Sequence, residues 1–153
     1  EIGARPIGMG GTFIAIAEGS AVIRRNPGGL ARSEEYTFEF NQSPSKLFGQ
    51  LRHNYLSLVL PRTERTAVGI DWGQIGFEDD ELSVNRNSFH FTYSYVLTVI
   101  ISVGANLKYL TNSASLDLQT VGSDIGWGSD LGIFIESIRN INLGFFVQDF
   151  IGK

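Results

Sequence analysis

The side chains able to do chemistry are few and loosely grouped. His53 and His90 are the two imidazoles, and there is no cysteine. That absence excludes disulfide scaffolds, cysteine-based zinc sites and thiol catalysis. His90 has Ser88, Thr92 and Ser94 at even spacing around it, which in a strand sets hydroxyls and imidazole on one face. A serine–histidine hydrolase needs such a pair and a third group to orient the ring. The face concerned is the polar one, turned away from where lipid would be met, so polar lining describes His90 better than catalysis. Gly8, Gly10 and Gly11 suggest a dinucleotide loop, but G-x-G-x-x-G requires glycine where Phe13 stands, and no strand precedes it. Glu78-Asp79-Asp80-Glu81 offers the carboxylates that Ca²⁺ prefers, yet a charge run is ordinarily a solvated surface. A net charge of −4 supplies no basic surface for nucleic acid. No enzyme, cofactor or resident metal is expected.

The elements that must carry these residues read as strands. The length of 153 residues fits one domain. From residue 36 onward apolar and polar residues alternate. Phe38 and Phe40 alternate with Thr37 and Glu39, and Leu56 and Leu58 with Tyr55 and Ser57. Val68, Ile70 and Trp72 alternate with Gly69 and Asp71, and Phe89, Phe91, Tyr93 and Tyr95 with His90, Thr92 and Ser94. Val103, Ala105, Leu107 and Tyr109 run against Ser102, Gly104, Asn106 and Lys108. Trp127, Leu131 and Ile133 then run against Gly128, Asp130 and Gly132, and Leu143, Phe145 and Val147 against Gly144 and Gln148. Successive strand side chains point to opposite faces, so each of about seven strands has one apolar face and one polar or glycine-rich face. A mean hydropathy of +0.02 suits such alternation and is far too low for a helical membrane protein. The uncharged stretch 89–107 is long enough for a transmembrane helix, but its Thr, Tyr, Val and Ile favour a hairpin.

Most of these segments approach the nine to eleven residues that cross a bilayer as a tilted strand. Short links are expected near 61–64, 97–99 and 137–140, and longer polar ones near 43–50, 74–86 and 111–123. Alternating short and long connections are the habit of outer-membrane barrels, with tight periplasmic turns and long extracellular loops. Trp72, Trp127, Tyr93, Tyr95 and Tyr109 fall on the apolar face, where barrels gather interfacial aromatic girdles.

Residues 1–35 form a separate N-terminal segment. Gly8, Gly10 and Gly11 make a flexible hinge, Ser20 is placed to cap a helical turn through Ala21, Val22 and Ile23, and Asn26-Pro27-Gly28 ends it. The segment reads as a compact plug or hatch.

Gly3-Ala4-Arg5, Gly8-Met9-Gly10-Gly11-Thr12-Phe13, Ser20-Ala21-Val22 and Asn26-Pro27-Gly28-Gly29-Leu30-Ala31 together resemble the N-terminus of FadL-like outer-membrane proteins. The nearest likeness is to the PorV-type branch associated with type IX secretion. Tyr55-Leu56-Ser57-Leu58, the run 102–109 and Asp130-Leu131-Gly132 are similar to strands of that branch. The chain departs from the pattern at Gly19, where a second acidic residue is usual, at Arg25, and at Gly28, which stands in place of alanine. The resemblance implies a barrel of roughly fourteen strands, of which this chain supplies about half.

The expected architecture is therefore all-β: an antiparallel up-and-down transmembrane barrel, with plug residues 1–35 and the first half of the barrel in 36–153. Asp71, His90, Asn106, Lys108 and Asp130 are expected to line its lumen, and Gly8, Gly10, Gly11, Asn26, Pro27 and Gly28 to form plug and hinge. The expected setting is the bacterial outer membrane, with its lipid and other outer-membrane or secretion proteins as partners. Two alternatives stand beside a secretion-associated or structural role: a plugged channel for hydrophobic small molecules such as fatty acids, and a soluble β-sandwich binding domain.

Overall fold

The computed structural model describes residues 14–16, 19–45, 50–79, 81–116, 119–136 and 141–152. The proposed hinge glycines Gly8, Gly10 and Gly11 lie outside these residues. A short helix, α1 (Val22–Arg25), leads through Asn26 into a 3₁₀ helix (Pro27–Arg32). Seven strands follow: β1 (Thr37–Ser45), β2 (Gln50–Thr63), β3 (Thr66–Glu78), β4 (Leu82–Val96), β5 (Ile101–Leu116), β6 (Gln119–Ile135) and β7 (Leu143–Gly152). They form one sheet in sequence order, every neighbouring pair antiparallel.

The alternation read from the sequence is the alternation observed. Phe91 and Ile133 are 48% and 42% exposed on one face, whereas His90, Asn106 and Asp130 are 8%, 0% and 2% exposed on the other. Among the described residues no second sheet covers the apolar face. The polar face carries residues 20–32 instead. Ser20 hydrogen-bonds Glu39 of β1, Val59 of β2 joins the core of Val22, Ile23 and Leu30, and Asn26 reaches Ile133 of β6. A segment that touches strands from β1 to β6 can do so only if the sheet curls around it.

Three sequence expectations are corrected. The stretches 74–86 and 111–123 are not long loops: β3 runs to Glu78 and β4 starts at Leu82, while β5 runs to Leu116 and β6 starts at Gln119. The ladder bonds main chain to main chain, so the Asn, Ser and Gly residues that suggested loops do not interrupt it. Strands β2 to β6 consequently have 13–17 residues, more than a bilayer crossing requires. Ser20 does not cap α1; its hydroxyl is given to the Glu39 carboxylate, and Ala21 occupies the cap position without a side-chain bond.

Asymmetry between the two ends survives in another form. Cross-strand partners Leu56, Trp72, Phe89, Tyr109 and Trp127 make a row across β2 to β6 on the outer face, with the Phe89 and Tyr109 rings 6.4 Å apart. Toward the β2–β3 and β4–β5 turns the outer face stays apolar. Past the row it becomes polar, with Asn54, Gln74 and Asn85 bonded to one another. The inner face changes in the opposite sense: Leu51, Phe77, Val84 and Ala114 are cross-strand partners there.

Candidate functional site: the plugged concave face

All five residues expected to line the lumen lie buried on the concave face. The register sets Asp71 beside His90, His90 beside Lys108, and Asn106 beside Asp130. Four of the five form one network. Thr92 donates to the Asn106 carbonyl at 3.0 Å, and the Asn106 amide nitrogen meets His90 Nδ1 and Asp130 Oδ2, each at 3.0 Å. An amide nitrogen only donates, so His90 Nδ1 accepts and the ring proton sits on Nε2. Lys108 Nζ lies 2.7 Å from Asp130 Oδ1 and 2.5 Å from Asp149 Oδ1.

Asp149 was not singled out by the sequence, because its odd position assigns it to the outer face. A bulge brings it in. Ser129 pairs Ile151 but Leu131 pairs Val147, so three residues of β7 oppose Asp130 alone. Asp149 has φ of 52°, and its backbone N–H donates to Asp130 Oδ1 at 2.9 Å. A left-handed Asp costs of order 1 kcal/mol, held here by two bonds to the network.

Asp71 of β3, the fifth residue, is engaged by the N-terminal segment instead. Arg24 of α1 places Nε 2.9 Å from both Asp71 carboxylate oxygens, and its guanidinium lies 5.4 Å from the centre of the buried Tyr55 ring. Arginine suits this seat because its planar fork matches a carboxylate while its face stacks on an aromatic ring. Nothing in the spacing of Arg24 distinguishes it from Arg25 before the wall is in place.

The motif Asn26-Pro27-Gly28 is the deepest part of the plug. Asn26 is fully buried with its amide satisfied: Oδ1 accepts from Gly28 N at 3.1 Å, and Nδ2 donates to the carbonyls of Ile14 at 2.7 Å and Ile133 at 3.0 Å. It caps the 3₁₀ helix, with Pro27 at the first position, where a missing N–H costs nothing. A Cβ on Gly28 would stand 2.7 Å from Gly132 O and 2.9 Å from Phe134 N. Gly104 and Gly132, direct partners on β5 and β6, are bare for the same reason: a side chain on either would strike the backbone or side chains of residues 26–28. Ser102 donates to Gly28 O at 2.6 Å, Ser94 shares its one hydroxyl proton between Val103 O at 3.0 Å and Gly28 O at 3.3 Å, and Ala31 N donates to Ser94 Oγ at 3.1 Å. Arg32 closes the segment onto the β4–β5 turn through Val99 O and onto Glu136.

The hydroxyls around His90 are bonded elsewhere: Ser88 to Gly73 O, Thr92 to Asn106, Ser94 to Gly28 O and Val103 O. Among the described residues, no three of His, Asp and Glu gather as a metal site. In the acidic run, Glu78 pairs with Arg52, and Asp80 lies outside the described residues. A cavity of about 540 Å³ opens beside the 3₁₀ helix at the end holding the β2–β3 turn, lined largely by polar residues including Arg32, Ser33, Glu34, Thr63, Glu64 and Glu136. No protein-family model matches the chain, and comparison with curated proteins and with solved structures finds no match.

Proposed function

We propose that the chain is part of a plugged β-barrel of the bacterial outer membrane, of the FadL-like class and nearest its PorV-type branch, with a structural or secretion-associated role. The observation that carries this reading is the inverted distribution of polarity: apolar side chains face outward from a curled sheet whose inner face is charged, hydrogen-bonded and filled by its own N-terminal segment. Water would not tolerate so large an uncovered apolar surface; acyl chains would. Outward residues from Phe89 on β4 to Leu97, the residue just past its end, span about 27 Å along the chain. At a tilt of 35–45° that is about 20 Å of depth, close to the apolar band of a barrel. The row Trp72, Phe89, Tyr109 and Trp127 borders this band, as interfacial aromatics do.

The free edges of β1 and β7 supply a second argument. Among the described residues each has one side that no strand pairs, and each unpaired main-chain group costs several kcal/mol in hydrocarbon. The membrane reading therefore requires further strands, of the same polypeptide or of another, to close the wall. Fractionation tests the proposal: the full-length protein should remain in membranes until detergent is added and should migrate differently with and without heating. Release into buffer without detergent overturns it.

A plugged channel for hydrophobic small molecules is the second reading. It is favoured by the apolar inner row of Leu51, Phe77, Val84 and Ala114, with Ile75 and Arg86 one row deeper. It is disfavoured by what lies beneath, a charged wall and a polar cavity. Binding of a fatty acid to the purified full-length protein would favour the channel, and co-purification of a protein partner the adaptor.

A further inference from the structure

We infer that residues 20–33 are a fixed part of the wall and not a movable gate. The inference rests on the plugged-barrel reading and deepens it by specifying how the lumen is kept shut.

The argument comes from what holds the segment. A gate that must swing needs contacts that break singly, on exposed side chains. Here the contacts are buried or half-buried, apart from those of Arg32 at the segment's end, and they are spread over many strands and directed largely at main chain. Asn26 takes the carbonyl of Ile133 on β6, Ser94 of β4 and Ser102 of β5 converge on the carbonyl of Gly28, and Ser94 also receives Ala31 N–H. The segment is also held by shape. Residues 26–28 occupy a slot whose floor is Gly104 and Gly132, and Ile23 and Leu30 press on Gly69, where a Cβ would lie 2.8 Å from Ile23 and 3.0 Å from Leu30. Arg24 and Asp71 fix one end, and Arg32 with Val99 O and Glu136 the other.

Removal of the segment would leave Asp71 without its counter-ion, the Ser102 hydroxyl without its acceptor, Ser94 without the Ala31 N–H, and a void above the three glycines. These losses come together, since the same few residues supply all of them. Opening of the segment is therefore coupled to loosening of β3 to β6, and the wall and its filling act as one cooperative unit.

Hydrogen exchange on the full-length protein in detergent micelles decides the matter. Amides of Asn26, Gly28, Gly29, Ala31 and Ser33, all hydrogen-bonded, should exchange within about tenfold of those in the centres of β4 and β5. In S94A/S102A, protection should fall in the segment and in β5 together. Segment amides exchanging a hundredfold or more faster than protected β4 and β5 amides in the wild-type protein would overturn the inference, and so would a loss confined to the segment in S94A/S102A. The wild-type measurement stands if the variant does not fold. Failure of the barrel reading would register separately, as a protein that stays in solution without detergent.

Discussion

Arg24 and Asp71 lie 47 residues apart in the chain and meet through three nitrogen-to-oxygen contacts, two of 2.9 Å from Nε and one from Nη2 to Oδ1. The Asp71 side chain is fully enclosed, whereas that of Arg24 keeps a fifth of its surface. The two members are therefore not equivalent. Arg24→Met strands a carboxylate with no access to water and is expected to cost about 3–5 kcal/mol. Asp71→Asn leaves a cation that still reaches solvent and should cost distinctly less. Urea unfolding of both variants in the same micelles measures the order; equal costs would mean that the pair is solvated.

The glycine slot gives a steric prediction with an internal control. Gly132→Ala and Gly104→Ala each drive a methyl group into residues 26–28, whereas Gly122 has nothing within 4 Å of its missing Cβ. Overpacking costs typically 1–3 kcal/mol and more where backbone must move. The first two variants should lose most of their heat-modifiable form, and Gly122→Ala should match wild type within about 0.5 kcal/mol.

Asn26 separates a cap from an anchor. At an ordinary N-cap, Asp replaces Asn with little loss. Here the amide nitrogen donates to two carbonyls, of Ile14 and Ile133, and a carboxylate would face both as an acceptor. Asn26→Asp should be at least as destabilising as Asn26→Ala, at roughly 2–4 kcal/mol. Thermal melts of the two variants check this, and near-wild-type stability of the Asp form would contradict the bonding described.

The boundary between apolar and polar on the outer face is testable by charge. Phe91→Lys puts an ammonium within the apolar band and should cost about 2–4 kcal/mol in a bilayer. Asn85→Lys, on the same face of the same strand beyond the aromatic row, should be tolerated. The yield of each variant in the outer membrane measures the difference. Equal tolerance at both sites would remove the lipid-facing assignment.

The faces of the strands were legible because period two depends only on neighbours in sequence: Phe89 to Tyr95 needed no partner to be read. The strand ends were not. Residues 82–86 and 111–116 looked like loops because Asn, Ser and Thr dominate their outward positions, yet both strands run on past the aromatic row, and outward polar residues there are what solvent demands. The lining residues were legible as a face and not as a network, since Asn106 finds Asp130 only through register. Gly104, Gly132, Ser94 and Ser102 read as ordinary small or polar residues for the same reason. Their significance lies in register: Ser94, Gly104 and Gly132 stand at one level of adjoining strands beneath Asn26-Pro27-Gly28, with Ser102 the next inward residue along β5, and no local pattern carries that information. Asp149 was misassigned because a bulge reverses the parity on which the reading depended.

The Asn26 amide grips a carbonyl oxygen of β6, and the Ser94 and Ser102 hydroxyls grip the carbonyl of Gly28, so each side of the contact reads the main chain of the other through a few polar groups. The strands are thus free to vary over most of their length, provided that those hydroxyls remain and a hollow is left where residues 26–28 seat. In a saturation library, intolerance should then concentrate at positions that lack bulk, and the strictest requirement on the protein would be for something not to be there.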